Sequence, residues 1–198
     1  MKNKFYFYNK CKNQLMKTIS LLFIAITTTG FAIMSCNSCK KNVLPPITDT
    51  GANTFGCLVD GKVFRPGGAQ LSGGSLQCNY QFFNNSYYFG LAGRNQTGGN
   101  LLTSVGIYTD SLRIFEGNKL SLKLRDKGNP SGSYFKAISA YQYELYSTGN
   151  NLNTGELWIK KLDTINQIVS GTFWFDAVNA NGQKVQIREG RFDVRYTR

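Results

Sequence analysis

From Thr54 onward the chain alternates apolar and polar side chains with a period of two, the spacing of a strand with one dry and one wet face. Phe55, Cys57 and Val59 alternate with Gly56 and Leu58, and Asp60-Gly61 follows. That dipeptide suits a type I′ hairpin turn, which needs φ > 0 at both central positions. Lys62 to Arg65 reads as the return strand. Leu76 to Phe83 and Tyr87 to Ala92 form a second, aromatic-rich hairpin around Asn84-Asn85-Ser86. Leu101 to Thr109 is the next strand, and Leu120, Leu122 and Leu124 alternate with Ser121, Lys123 and Arg125. Arg125 to Ser133 reads as a loop, and Tyr134 to Tyr146 as one long strand with Tyr141, Tyr143 and Leu145 on one face. Leu157 and Ile159 flank Trp158. Phe173, Phe175 and Ala177, then Val185 and Ile187, then Phe192, Val194 and Tyr196 form a closing meander with turns at Asn181-Gly182 and Glu189-Gly190. No stretch carries sustained apolar spacing of three and four. The pattern predicts an all-β domain over residues 54–198: an antiparallel meander forming a single β-sandwich or an up-and-down, lipocalin-like barrel.

One segment departs from this period. Ile19 to Cys36 is an apolar run preceded by Lys2, Lys4, Lys10, Lys12 and Lys17, with no acid before Asp49. Its core, Leu21 to Ile26, is broken by Thr27-Thr28-Thr29-Gly30. It therefore falls short of the ~18 continuous apolar residues of a spanning helix and has the layout of an export signal. Either Met1 or Met16 serves as its start. Ile33-Met34-Ser35-Cys36 resembles a bacterial lipobox, which implies cleavage after residue 35 and acylation of Cys36. Three acyl chains there exceed the two signals that stable anchoring takes. The competing readings are an uncleaved anchor helix and ordinary secretion. On the lipobox reading, residues 1–35 are a signal peptide and 36–53, with Pro45-Pro46 and Gly51, a flexible tether. Asn37 after the cysteine, with no acidic cluster beyond it, resembles lipoproteins sorted to the outer membrane and facing the periplasm.

Two strand-and-turn motifs stand after this leader: Thr54-Phe55-Gly56-Cys57-Leu58-Val59-Asp60-Gly61-Lys62-Val63-Phe64, and Ser170-Gly171-Thr172-Phe173-Trp174-Phe175 leading to Gly190-Arg191-Phe192-Asp193-Val194. Together they resemble small Bacteroidota-type outer-membrane lipoproteins carrying an uncharacterised all-β domain of unknown function. The resemblance implies a compartment and a fold, and assigns no functional residue.

Composition narrows the chemistry. The chain has no histidine, which removes His-based general-base catalysis, Ser-His and Cys-His nucleophile pairs and most zinc sites. Gly67-Gly68 and Gly73-Gly74 lack the Gly-Lys-Ser/Thr of a phosphate loop. No catalytic residue, metal ligand or cofactor is assigned. Of the 23 Lys and Arg residues 18 lie beyond residue 35, with all 11 acids, and the excess is spread rather than blocked. Such a surface is weakly attracted to anionic envelope components. The partners expected are the membrane, through the N-terminal lipid, and an envelope glycan, lipid or protein. Nucleic acid is not among them.

Cys57 and Cys78 admit two readings in an oxidising compartment. One is a disulfide closing about twenty residues, worth ~3 kcal/mol. The other is a pair of buried thiols packing as small apolar groups. Trp158 and Trp174 lie on the polar-alternating sides of neighbouring strands and are a candidate aromatic platform for a flat ligand, or core residues if both faces are covered. Asp176 and Asp193 are the acids that a glycan hydrolase would need to bring together; pairing with Arg188, Arg191 or Arg195 is the other reading. The leading expectation is a non-catalytic binding or interaction module. The alternatives are a lipocalin-like carrier, a carboxylate-dependent hydrolase, and a structural or adhesive subunit.

Overall fold

The computed structural model describes residues 43–68, 74–97, 101–149 and 154–198. Cys36, the expected signal peptide and residues 36–42 of the expected tether lie outside the described residues. Leu44–Arg198 form one compact unit of eleven strands, with no α-helix among the described residues. The strands are β1 (Thr54–Val59), β2 (Lys62–Phe64), β3 (Leu76–Phe83), β4 (Ser86–Asn95), β5 (Thr103–Thr109), β6 (Lys119–Leu122), β7 (Pro130–Ala137), β8 (Tyr143–Ser147), β9 (Gly155–Asp163), β10 (Ile168–Val178) and β11 (Lys184–Arg195).

All the ladders between these strands are antiparallel, in the order β2-β1-β11-β10-β8-β7-β5-β4-β3. β10 is the branch point. One edge carries β11; the other carries β9 as far as Phe175 and then β8 at Val178, and β6 adds to β9. The ends of the path, β2 and β3, share no ladder, so the sheet is not closed into a barrel and wraps as a sandwich around one core. Single parallel bridges, Gly67 to Asn95 and Asn79 to Thr197, tack its margins. The core is built from the alternating positions: Phe89 and Leu91, Val105 and Ile107, Leu157 and Ile159, Phe173 and Phe175, Val185 and Ile187. Each such side chain contributes ~1.5–3 kcal/mol by leaving water. These side chains fill the space between the layers, which a lipocalin-like carrier would need open.

Four local differences from the alternation pattern have physical causes. First, Tyr134 to Tyr146 is two strands: β7 and β8 pair as a hairpin with Ala137 opposite Tyr143, and the amides of Ile138 and Ser139 donate to the Gln142 carbonyl. The dry side chain of β8 is Tyr146, while Tyr143 and Leu145 point to solvent. Second, Glu189-Gly190 is a bulge inside the continuous β11. Both neighbours skip a residue there, and Glu189 takes φ 51°. Third, Asp193, expected on a wet face, is fully buried. Fourth, the cause of that burial lies in the expected tether. Residues 44–53 pack on the outer face of β1 and β11, with Leu44 and Pro45 over Gly56, where a Cβ would come within 2.6 Å of Pro45. The compact unit therefore takes in Leu44, ten residues before the alternation starts.

Candidate functional site

Asp193 fastens that N-terminal segment. Thr48 Oγ1 donates to its carboxylate at 2.7 Å, and the amides of Thr50, Gly51 and Ala52 donate at 3.0, 2.7 and 3.2 Å. Burial alone would raise its pKa. The Thr48 hydroxyl and the Ala52, Gly51 and Thr50 amides outweigh burial and hold the carboxyl below the ordinary carboxylate range. Asp176 lies opposite Gln186 and Asp193 opposite Ser170, six positions apart along β10, or about 20 Å at strand rise. Asp176 pairs with Lys184 at 2.8 Å and Arg188 at 2.6 Å. Partial burial raises its pKa, but these two cations more than offset that and lower it. The two acids do not converge, and neither is poised as a proton donor.

Cys57 and Cys78 are free thiols in the core, each pushed upward in pKa by burial. Both pack among the apolar side chains of the core. The tryptophans share one outward face. Trp158 is opposite Thr172 in the β9–β10 ladder, and Trp174, two positions on, is opposite Glu156. Trp174 is 42% exposed. Cations lie over both rings: Lys119 and Lys160 at 4.8 and 4.7 Å from the Trp158 centroid, and Arg188 at 5.5 Å from that of Trp174. A shallow groove beside Trp174 is lined by Ile47, Glu156, Thr172, Glu189 and Arg191. The pair is not core, and side-chain cations of the protein itself lie over its rings.

The larger concavity is one that alternation did not indicate. A cleft of about 600 Å³ lies between the β3–β4 hairpin, the β9–β10 turn and the residues after β11, lined by Tyr80, Phe82, Phe83, Tyr87, Tyr196 and Arg198 among others. The hairpin turns at Asn84 and Asn85, with φ 47° and 59°, so Phe83 faces Ser86 and the aromatic residues of both arms line up. Tyr80 and Tyr87 stack at 5.5 Å with 26° between planes, Phe82 leans on Tyr87 at 4.8 Å, and Tyr196 meets Tyr80 edge-on at 5.8 Å. Tyr80 is fixed from behind. Its hydroxyl donates to the Ile114 carbonyl and accepts from the Ile114 amide, both at 3.3 Å. Two guanidiniums border the rings: Arg113, 5.2 Å from the Tyr87 centroid, and Arg198, which donates to the Thr164 carbonyl. The only advance signal was aromatic density on Leu76–Ala92. That Tyr196 and Arg198 complete the wall depends on the Asn79–Thr197 bridge, which sequence spacing does not encode.

Residues 110–194 match the family of a domain of unknown function, DUF6252. The matched stretch takes in β6 to β10 and nearly all of β11, and leaves the β3–β4 hairpin outside. No curated protein and no solved structure matches the chain. Asp110-Ser111 after β5 and Asp163-Thr164 at the end of β9 are local turn chemistry. Ser111 has φ 52° and donates to the Asp110 carboxylate, and Asp163 accepts from the Ile165 and Asn166 amides.

Proposed function

We propose that the protein is an envelope lipoprotein, anchored through Cys36, whose β domain is a non-catalytic binding module. The ligand has a flat apolar face, a sugar ring or another ring of that size, and enters the aromatic cleft. The observation that supports this reading is the cleft itself: an apolar concavity walled by Phe82, Phe83 and Tyr87, with Arg198 among its lining residues. Ligand sites are typically concave and mostly apolar, with a few placed polar groups. The hydrolase alternative loses its basis with the separation of Asp176 and Asp193, and the carrier alternative with the filled interior.

Saturation-transfer NMR of the full chain with a panel of envelope oligosaccharides and peptidoglycan fragments tests the reading. A ligand should be found whose affinity falls by about tenfold in Tyr87→Ala, as loss of a ~1.4 kcal/mol ring contact implies. Trp174→Ala should leave that affinity within about twofold. A ligand indifferent to Tyr87 and lost with Trp174 would relocate the site to the tryptophan face. Intact mass of the protein from its native host should show an acylated chain beginning at Cys36.

A further inference from the structure

Around the mouth of the cleft four large apolar side chains stand in solvent: Phe82 at 60% exposure, Phe83 at 64%, Phe115 at 49% and Ile165 at 89%. They come from three separate connections: the β3–β4 hairpin, the stretch after β5 and the β9–β10 turn. They neighbour one another around the cleft, Ile165 as the residue after Thr164. Phe82, Phe83 and Thr164 line the same cleft, and Arg113 lies over both Tyr87 and Phe115, 4.9 Å from the latter. Single exposed apolar residues are ordinary on a surface, whereas a contiguous set marks something that covers it.

Cations frame the patch. Arg113 and Arg198 border the cleft, and Arg195 reaches the Asn166 carbonyl at the β9–β10 turn. None of the three has an ion-pair partner among the described residues. The nearby acids already accept hydrogen bonds from backbone amides: Asp163 from Ile165 and Asn166, and Glu116 from Leu162. Rings and branched aliphatics at the tip with arginines beside them suit the interface of a bilayer, where apolar groups enter the headgroup layer and guanidiniums stay with the phosphates.

The length of the lead bounds how far this patch can stand from the anchor. The Asp193 clasp and the Leu44–Pro45 contact fix the polypeptide from residue 44 on, and Leu44 stands only eight residues after Cys36. Fully extended, that lead spans about 26–29 Å. That segment starts with Leu44 and Pro45 over Gly56, opposite Arg191, and runs about 13 Å along β11 to Ile168 and Arg195, a distance the lead exceeds, with a Cβ on Gly51 falling 3.0 Å from Ile168. That is the end of β10 and β11 at which Thr164, Tyr196 and Arg198 line the cleft. We propose that this end of the domain docks on the bilayer surface, with Phe82, Phe83 and Ile165 in the headgroup layer and Arg113, Arg195 and Arg198 against lipid phosphates. Docking does not require the cleft to hold a ligand. It relies on the anchor reading only for the length of the lead.

Hydrogen–deuterium exchange of the full acylated chain tests this in vesicles of phosphatidylcholine, and of phosphatidylcholine mixed with phosphatidylglycerol. The reference is the Phe82→Ser/Phe83→Ser double variant, which changes exposed positions and keeps the anchor; unchanged exchange in residues 169–177 certifies its fold. Amides of 163–166, untouched by the substitutions, should exchange about threefold or more slower in the wild-type chain than in the variant. Arg113→Gln/Arg198→Gln should lose part of the protection, more so on the mixed vesicles. Equal exchange in wild type and double variant, with the acyl mass intact, overturns docking and leaves the anchor standing. Protection that rises with protein-to-lipid ratio assigns the patch to a second copy of the chain and also overturns it. Absence of the acyl mass removes the lead and overturns both.

Discussion

Asp193 is an ionised group without solvent exposure, held by five donors from a single ten-residue segment. Charge-assisted hydrogen bonds of this kind are the stronger ones, and a buried acceptor or donor left unpaired costs ~1–3 kcal/mol. Asp193→Asn keeps the shape but turns an amide N–H₂ toward backbone N–H groups. It should lower unfolding stability by about 2 kcal/mol in urea titrations. The same carboxylate makes stability acid-sensitive, with a definite sign. Its pKa is lowered on folding, so its contribution is complete above the unfolded carboxylate value of ~4 and is lost as pH falls from there through the folded value. The fall in urea midpoint below pH ~4 should be shallower in Asp193→Asn than in the parent chain. A parallel fall in both would assign the acid limb elsewhere, with Asp176, also lowered, as the next carboxylate to replace.

At the scale of elements, β11 shows how local chemistry overrides a correct period. Glu189-Gly190 has turn composition, yet β1 and β10 pair with β11 on both sides of it, and the extra residue is absorbed as a bulge. Gly190 packs on Phe173, and a Cβ there would collide with the ring and carbonyl of that residue. Gly190→Ala should cost about 1–3 kcal/mol in thermal or urea unfolding. Glu189, at φ 51°, should tolerate glycine without loss, since its pair with Arg191 is exposed and adds little. Glu189→Val should destabilise by about 1–2 kcal/mol, because a β-branched residue resists that backbone. Most strands, both short hairpin turns and the core positions of β4, β5, β10 and β11 were legible in the sequence, because each depends on its own neighbours. The break at Ile138–Gln142 was not, since both arms are β-prone and the turn lacks glycine. Nor was the segment 44–53, which is held by contacts distant in sequence, the Asp193 carboxylate and Gly56 among them, nor the cleft, whose walls lie more than a hundred residues apart.

For the molecule as a whole, the two core thiols bear on how it is held together. With Cys57 and Cys78 free and buried, a reductant should leave the melting temperature unchanged. A disulfide between them would be worth ~3 kcal/mol, and its reduction would lower the melting point by roughly 6–12 °C in a domain of this size. Thiol reagents should reach these two positions only after unfolding, because burial both hides them and disfavours the thiolate.

The clasp at Asp193 also has a mechanical meaning. On the anchor proposed above, tension would pass the Leu44–Pro45 contact and then load Thr48–Ala52, whose bonds run to a strand paired on both sides, so the load is shared by β1 and β10 instead of peeling an edge. Tension on the amino-terminal lead should release a short length of chain at low force, leaving the sandwich intact, before any rupture of the body. Optical-tweezer traces of Asp193→Asn should lack that first step.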